Sequence, residues 1–288
     1  MQINFQSDPR IHLFITQSLA EDIGPGDYST LSCIPSHWQG KAKLLVKDEG
    51  VLAGVELAKV ILKEIDPALH TTIYINDGAS VTQGDIAFEI EGSVASILQA
   101  ERLLLNCMQR LSGIATTTHK AVSLIEGGHT KILDTRKTTP GMRLLEKWAV
   151  TMGGGHNHRF GLYDMIMLKD NHIDAAGGII PAITKAKEYL IEKHLALQIE
   201  VETRNLAEVQ QAIAAGGIHR IMLDNFDVAT LAEALKLINK QYETEASGGI
   251  TLSNLIPYAE TGVDYISMGA LTHSVKALDL SLKLVKGV

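Results

Sequence analysis

The residues best suited to chemistry are concentrated in one stretch, Asp134 to Asp174, which reads DTRKTTPGMRLLEKWAVTMGGGHNHRFGLYDMIMLKDNHID. The whole chain carries 26 Lys and Arg against 33 Asp and Glu, a formal net charge of -7. Between Lys131 and His172 the balance reverses. Seven basic residues (Lys131, Arg136, Lys137, Arg143, Lys147, Arg159, Lys169) stand against four acidic ones (Asp134, Glu146, Asp164, Asp170), before His156, His158 and His172 are counted. A cationic pocket in an acidic protein suits a small anionic ligand; a nucleic-acid surface would be broader and its protein more basic. A solvated helix face accounts for any single lysine. It does not account for Arg136-Lys137, Arg159 and Lys169, which stand at the ends of apolar runs where the chain turns. The three histidines lack zincin spacing and an evident fourth ligand, so zinc is set aside and His156 and His172 are read as structural hydrogen-bonders. Asp134 and Asp170 are expected to orient neighbouring Arg or Lys residues.

The elements that must position these groups follow from pattern. The chain has 288 residues, 45% of them hydrophobic, enough for one large domain or two smaller ones with a full core. Two distant cysteines, Cys33 and Cys107, give neither a disulfide framework nor a zinc pattern. MQINFQSDPR has no apolar signal core, and no run reaches the ~18 apolar residues of a membrane helix; a cytoplasmic setting is expected. Asp8-Pro9 predicts a helix start and Gly24-Pro25-Gly26 its end. KAKLLVKDEGVLAG, TTIYI and DIAFEI read as strands, with a helical pattern from Leu57 to Ile65 between them, and the short turns predict antiparallel pairs. DGASVTQGDIAFEIEG by itself resembles a lipoyl-type hairpin but lacks the lysine. Val94 to Met108 is helical in period. Beyond it KILD, DMIMLK, QIEVE, HRIMLD, ETEAS and DYISMG alternate with amphipathic helices at 175–193, 205–215, 228–241 and 252–261. That alternation predicts βαβ units and a parallel sheet, as a barrel or a doubly wound sheet.

The ends of those runs are the informative feature. They lead to Arg136-Lys137, to Lys169, to Glu202, to Asp224, to Ser247-Gly248-Gly249 and to Ser267-Met268-Gly269. In α/β barrels the loops after the strands open on one face and carry the catalytic groups. Such a mouth would hold cations on one side (Arg136, Lys137, His158, Arg159, Lys169), two carboxylates (Glu202, Asp224), and two small-residue loops preceding helices, where backbone N–H groups bind phosphate. No G-x-G-x-x-G follows a first strand, and GGG at 153–155 is not followed by the Lys-Ser/Thr of a P-loop.

DTRKTTPGMR, GGGHNHRFGLYDMIMLKDNHI, IEVE, MLDNF, ASGGI and ISMGA, in this order and together with ERLLLN and LSGIAT, resemble the quinolinate phosphoribosyltransferases, also called nicotinate-nucleotide pyrophosphorylases (carboxylating). The resemblance runs over almost the whole chain; Thr139 replaces a commoner leucine, and Gly216-Gly217 is one residue longer than usual. It implies an α/β protein with an N-terminal α/β sandwich (1–108) and an incomplete, seven-stranded α/β barrel (109–275), with 276–288 packing back on the sandwich. It implies transfer of phosphoribosyl from phosphoribosyl diphosphate to quinolinate with decarboxylation, in NAD biosynthesis, by a Mg²⁺-dependent homodimer. Carried over by position, Arg102, Arg136, Lys137, His158, Arg159 and Lys169 form the quinolinate pocket, with Arg102 coming from the partner chain. Glu202 and Asp224 serve ribose and magnesium pyrophosphate, holding the metal through water. Ser247, Gly248, Gly249, Ser267, Met268 and Gly269 take the 5′-phosphate. Lys169 or His158 supplies the proton that follows loss of CO₂, and the residue types leave that choice open. Other readings are a related phosphoribosyltransferase acting on another anionic ring, and a non-catalytic barrel that binds a phosphorylated ligand. Two carboxylates beside anionic phosphates argue against simple binding.

Overall fold

The computed structural model describes residues 3–285. It divides into two compact units. The first takes its described residues from Met1–His119, Thr139–Gly154 and Ser274–Val288, the second from Lys120–Thr138 and Gly155–His273. In chain order come α1 (Pro9–Ile23), α2 (Tyr28–Cys33), β1 (Gln39–Val46), β2 (Gly50–Val51), α3 (Val55–Ile65), β3 (His70–Ile73), β4 (Ser80–Val81), β5 (Ile86–Ser93) and the long α4 (Val94–Leu124). After β6 (Lys131–Leu133) and α5 (Arg143–Met152), strands and helices alternate: β7 (Ile166–Leu168), α6 (Asp170–Ala176), α7 (Ile179–Glu192), β8 (Ile199–Thr203), α8 (Leu206–Ala215), β9 (Arg220–Asp224) and α9 (Val228–Ile238). The series ends with β10 (Glu243–Ser247), α10 (Leu255–Glu260), β11 (Tyr265–Ser267), α11 (Ala270–His273) and β12 (Leu280–Leu284).

In the first unit α1 starts as its sequence predicts. Asp8 Oδ1 accepts the Arg10 N–H at 2.9 Å with Pro9 at the first helical position. The sheet is antiparallel throughout, in the order β12-β1-β5-β3. The expected antiparallel pairing of TTIYI with DIAFEI is found, as β3 with β5, but the first expected turn behaves differently. The turn at Asp48–Gly50 makes no hairpin, because β1 pairs with β5 and β12 while β2 pairs with β4. Alternate residues of β1 (Ala42, Leu44, Val46) are buried with Phe88 and Ile90 of β5, and Val55, Leu62, Ile97, Leu104 and Met108 from α3 and α4 complete that core. Within the C-terminal segment, β12 pairs from Leu280 opposite Val46 to Leu284 opposite Ala42, and residues 286–288 lie outside those described.

α4 runs sixteen residues past Met108 to Leu124, so the expected boundary at 108/109 falls inside a helix. Gly113 and the run Thr116-Thr117-Thr118 hid this, since glycine and β-branched residues lower helix propensity. The three hydroxyls turn inward, donating to the carbonyls of Ser112, Gly113 and Ile114 at 2.7, 2.9 and 2.8 Å. Gly113 is required by packing, because a Cβ there would fall against the Lys276 carbonyl.

In the second unit all six apolar runs are strands, parallel, in the order β6-β11-β10-β9-β8-β7. Every residue of β8 is buried, as expected of a parallel strand covered on both faces. The seventh strand is reduced to one bridge: His156 N–H donates to Ile132 O at 2.8 Å and Asp134 N–H to His156 O at 3.1 Å. It stops there because the next ladder position is diverted. The His158 N–H goes to the Asp134 side chain instead, at 2.8 Å. The sheet is curled into a barrel. In a flat sheet the strip beside β6 and strand β8 would lie five spacings, about 24 Å, apart, yet His158 Nε2 is 3.0 Å from Glu200 Oε2 of β8. Among the described residues, no helix is long and apolar enough to cross a membrane.

Candidate active site

A cavity of about 670 Å³ opens at the C-terminal ends of the strands. β6 leads into it with Arg136 and Lys137, the His156 strip with His158 and Arg159, and β7 with Lys169. β8 and β9 present Glu202 and Asp224. The loops after β10 and β11 bring Ser247, Gly248, Gly249, Ser267 and Gly269. Two expected residues do not line it. Met268 is 1% exposed and spends its N–H on Leu133 O at 3.0 Å, so that loop offers the cavity its two small neighbours instead. Arg102 lies exposed on α4 in the first unit. A larger hollow of about 1020 Å³ lies at the opposite ends of the strands, around His219, Glu243 and Asp264. Its two acids are engaged, Glu243 with Arg220 at 2.9 Å and Asp264 with the Thr244 hydroxyl at 2.6 Å.

The cationic wall is crowded and incompletely satisfied. Arg159 is 8% exposed, and burial and then the neighbouring charge of Arg136 push its pKa down. Its Nη1 donates to Met165 O at 3.0 Å, which fixes the guanidinium. Arg136 Nε is buried with no hydrogen-bond acceptor among the described residues. Buried donors are nearly always paired, so two adjacent guanidiniums with an unmet donor call for an anion, and a carboxylate matches the fork. Opposite them Glu202 is 9% exposed; burial first, then the facing Asp224 carboxylate, raise its pKa, and Lys169 draws it back. Two like-charged hard oxygen donors that destabilise each other fit a divalent cation such as Mg²⁺.

His158 is held from below. Its Nε2 lies 3.0 Å from Glu200 Oε2 and 3.3 Å from Glu245 Oε2, and its Nδ1 accepts the Arg159 N–H at 2.6 Å. Burial opposes charge on the ring, but the two carboxylates outweigh it and raise the pKa to about 9. Arg220 Nη1 meets Glu245 Oε2 at 2.9 Å and stacks over Tyr265 at 4.0 Å. Histidine and two glutamates in reach of one another could in principle hold a metal; here Arg220 already supplies the second counter-charge, and the cluster is an ion-pair network. Asp134 pins the 157–158 turn, taking the His158 N–H at 2.8 Å and Asn157 Nδ2–H at 2.6 Å.

The glycine loops differ in what they do. Gly248 has φ +94, and a Cβ there would come within 2.6 Å of Asn225 Cγ, so the glycine lets two strand-end loops meet. Gly249 has φ +63 and open space where its Cβ would be. Neither loop opens a long helix: α10 begins only at Leu255 and α11 has four residues. Anion binding here therefore rests on loop N–H groups and nearby side chains more than on a helix dipole. His273 and Asn225 line the cavity as well, and Glu200, Glu245 and Arg220 form its foundation. Asn225 lies in the MLDNF segment that marks the end of β9; the other four did not stand out in the sequence. Glu200 had a signal: it lies two residues before Glu202 in an otherwise apolar run, which puts both carboxylates on the same face of β8.

An α/β barrel with guanidiniums facing paired carboxylates and glycine loops at one mouth defines an enzyme for small phosphorylated and carboxylated substrates. Sequence comparison places the chain within that class. Residues 114–283 match the family model "Quinolinate phosphoribosyl transferase, C-terminal domain" and residues 27–112 its N-terminal domain. The chain belongs to this family. It is 46% identical over 282 residues to quinolinate phosphoribosyltransferase [decarboxylating] 2a, mitochondrial, of Nicotiana tabacum, across 93% of this chain and 80% of that protein. It is 46% identical over 262 residues to the probable nicotinate-nucleotide pyrophosphorylase [carboxylating] of Bacillus subtilis (strain 168), across 91% and 89% of the two. The crystal structure of NadC from Streptococcus pyogenes is similar at a TM-score of 0.93 and 40% identity, covering 99% of each chain.

Proposed function

We infer that this chain transfers phosphoribosyl from phosphoribosyl diphosphate to quinolinate and decarboxylates the adduct, giving nicotinate mononucleotide, CO₂ and pyrophosphate in NAD biosynthesis. The observation that carries this is the unmet buried Nε of Arg136 beside Arg159, facing Glu202 and Asp224 across one cavity. Arg136, Arg159, Lys137 and Lys169 bind the two adjacent carboxylates of quinolinate, and several cations are needed to strip a dianion of water. Ser247 to Gly249, with Ser267 and Gly269, receive the 5′-phosphate. Glu202 and Asp224 would hold Mg²⁺, which when bound would neutralise the leaving pyrophosphate. The C–O bond to pyrophosphate breaks with its electron pair, and the carboxylates stabilise the positive charge left on the ribose. The pyridine nitrogen bonds to the anomeric carbon and becomes cationic. The adjacent carboxylate then leaves as CO₂, its bonding pair remaining on the ring carbon. Lys169 protonates that carbon: it is exposed at the mouth, whereas both ring nitrogens of His158 are already engaged. The enzyme works as a homodimer in the cytoplasm, with Arg102 of the partner subunit completing the quinolinate pocket.

Incubation with quinolinate, phosphoribosyl diphosphate and Mg²⁺ is expected to give nicotinate mononucleotide and CO₂ in equal amounts, and a chelator to stop both. Nucleotide formation from nicotinate with no CO₂ would favour the related transferase instead. Binding of phosphoribosyl diphosphate without turnover would favour the ligand-binding barrel.

A further inference from the structure

The barrel interior beneath the cavity holds two glutamates that the reaction above leaves without a role. Glu200 and Glu245 are each 0% exposed. Burying an ionised carboxylate is costly unless a partner compensates it. Glu245 has Arg220 at 2.9 Å as well as the histidine. Glu200 has much less. Its Oε2 lies 3.0 Å from the His158 ring, the cation in contact with it, and the charges of Arg220 and Arg159 act on it from farther off. A core needing only to be filled would be served better by leucine or methionine at that position. The retained acid therefore points to what it does for His158.

We propose that Glu200 and Glu245 are positioning residues for quinolinate: from beneath the cavity they grip Nε2 of His158 and hold the ring as a fixed cationic floor under the substrate's carboxylates. The proposal rests on the reading of this cavity as the quinolinate site. Its geometry is explicit. Glu200 comes from β8 and Glu245 from β10, so the ring is clamped from two strands. Asp134, at the end of β6, holds the His158 backbone N–H at 2.8 Å. The charged groups that face the ring include Glu200 and Glu245. Arg220 of β9 lies behind Glu245, and the Arg159 N–H meets Nδ1 at 2.6 Å. That N–H opposes a second proton on the ring, while the carboxylates favour it; burial and the Glu245 charge in turn raise the Glu200 pKa, and the His158 ring draws it back. Glu245 lines the cavity but is balanced by Arg220 at 2.9 Å, and the His158 ring stands against Glu200 at 3.0 Å. A dianionic ligand thus meets a cation where bare acids would repel it.

The test uses the intact enzyme and two variants, Glu200→Gln and Glu245→Gln, with His158 followed by NMR of ¹³C-labelled histidine across pH and its signal assigned with His158→Asn. In the parent enzyme His158 is expected to titrate above the ordinary histidine range, consistent with its raised pKa of about 9. In either variant the midpoint is expected to fall by about two units, toward the ordinary histidine range. At about pH 8 the KM for quinolinate should rise about tenfold in the variants and recover toward the parent value at about pH 6, where the ring regains its proton. The KM for phosphoribosyl diphosphate should stay within about twofold throughout. An unchanged midpoint, or equal loss for both substrates at every pH, overturns the proposal. If Glu245→Gln does not fold because Arg220 loses its partner, Glu200→Gln leaves that pair intact and decides the matter. If the parent enzyme makes no nicotinate mononucleotide, the functional reading falls, while the NMR midpoint still tests the clamp.

Discussion

At the scale of single residues, the cationic wall makes two separable predictions. Arg159 keeps one guanidinium nitrogen on Met165 O and faces Arg136, so its remaining donors are aimed and already crowded by like charge. Arg159→Lys keeps the charge and loses the fork. Quinolinate binding should weaken by about 1–3 kcal/mol, the range of a charge-assisted contact, with little change for phosphoribosyl diphosphate. Calorimetric titration of each substrate checks this, and equal weakening of both would contradict the assignment. Lys169→Arg makes a different cut. Arginine keeps the positive charge but does not release its proton at neutral pH. kcat should fall by about a hundredfold or more while quinolinate still binds, and single-turnover measurement of CO₂ release and proton uptake separates the steps. These cations were legible in the sequence because a basic stretch in an acidic chain is a local anomaly. His158 was legible only as a cation. Its dependence on Glu200 and Glu245 was not, because the three residues lie far apart in sequence and meet only when the sheet closes.

At the scale of elements, the glycine loops separate conformation from binding. The Cβ position of Gly248 is blocked by Asn225, in a backbone conformation that L side chains rarely adopt. Gly248→Val is therefore a folding test and not a clean binding test; it should lower the melting temperature, and a loss of binding in it does not report phosphate affinity. Gly249→Ala fits open space and costs only the left-handed conformation, about 1 kcal/mol. Its expected effect is a higher KM for phosphoribosyl diphosphate with a near-normal melting temperature. The reverse pattern, normal binding in Gly249→Ala with the fold intact, would remove this loop from the phosphate site. The six parallel strands were legible because strands covered on both faces read as short apolar runs, each ending in a polar residue. Two features were not. The single bridge at His156 depends on the Asp134 side chain, and the N-terminus of α3 is capped from a distance: Asp77 accepts the Gly54, Val55 and Glu56 N–H groups at 2.6, 2.8 and 3.0 Å. A cap drawn from twenty residues downstream leaves no local signature.

At the scale of the whole molecule, Arg102 decides how many chains make one site. It lies exposed on α4, next to Leu103, Leu104 and Leu105, which are buried, and it belongs to the first compact unit and not to any barrel strand end. If each cavity takes Arg102 from the partner subunit, a two-fold interface supplies both cavities reciprocally. Arg102→Ala and Lys169→Ala should each be nearly inactive alone, the first for lack of a carboxylate partner and the second for lack of the proton donor. Mixing the two and allowing subunit exchange gives heterodimers in which one cavity carries both defects and the other neither. Activity should then recover toward about one parent site per heterodimer. The recovered sites should show the parent KM for quinolinate, because an intact cavity is restored and not merely a partial one. Exchange is checked independently by mass-tagged subunits. If tagged heterodimers form and stay as inactive as their parents, Arg102 acts within its own chain or not at all, and the cations of the barrel mouth must bind the dicarboxylate without it.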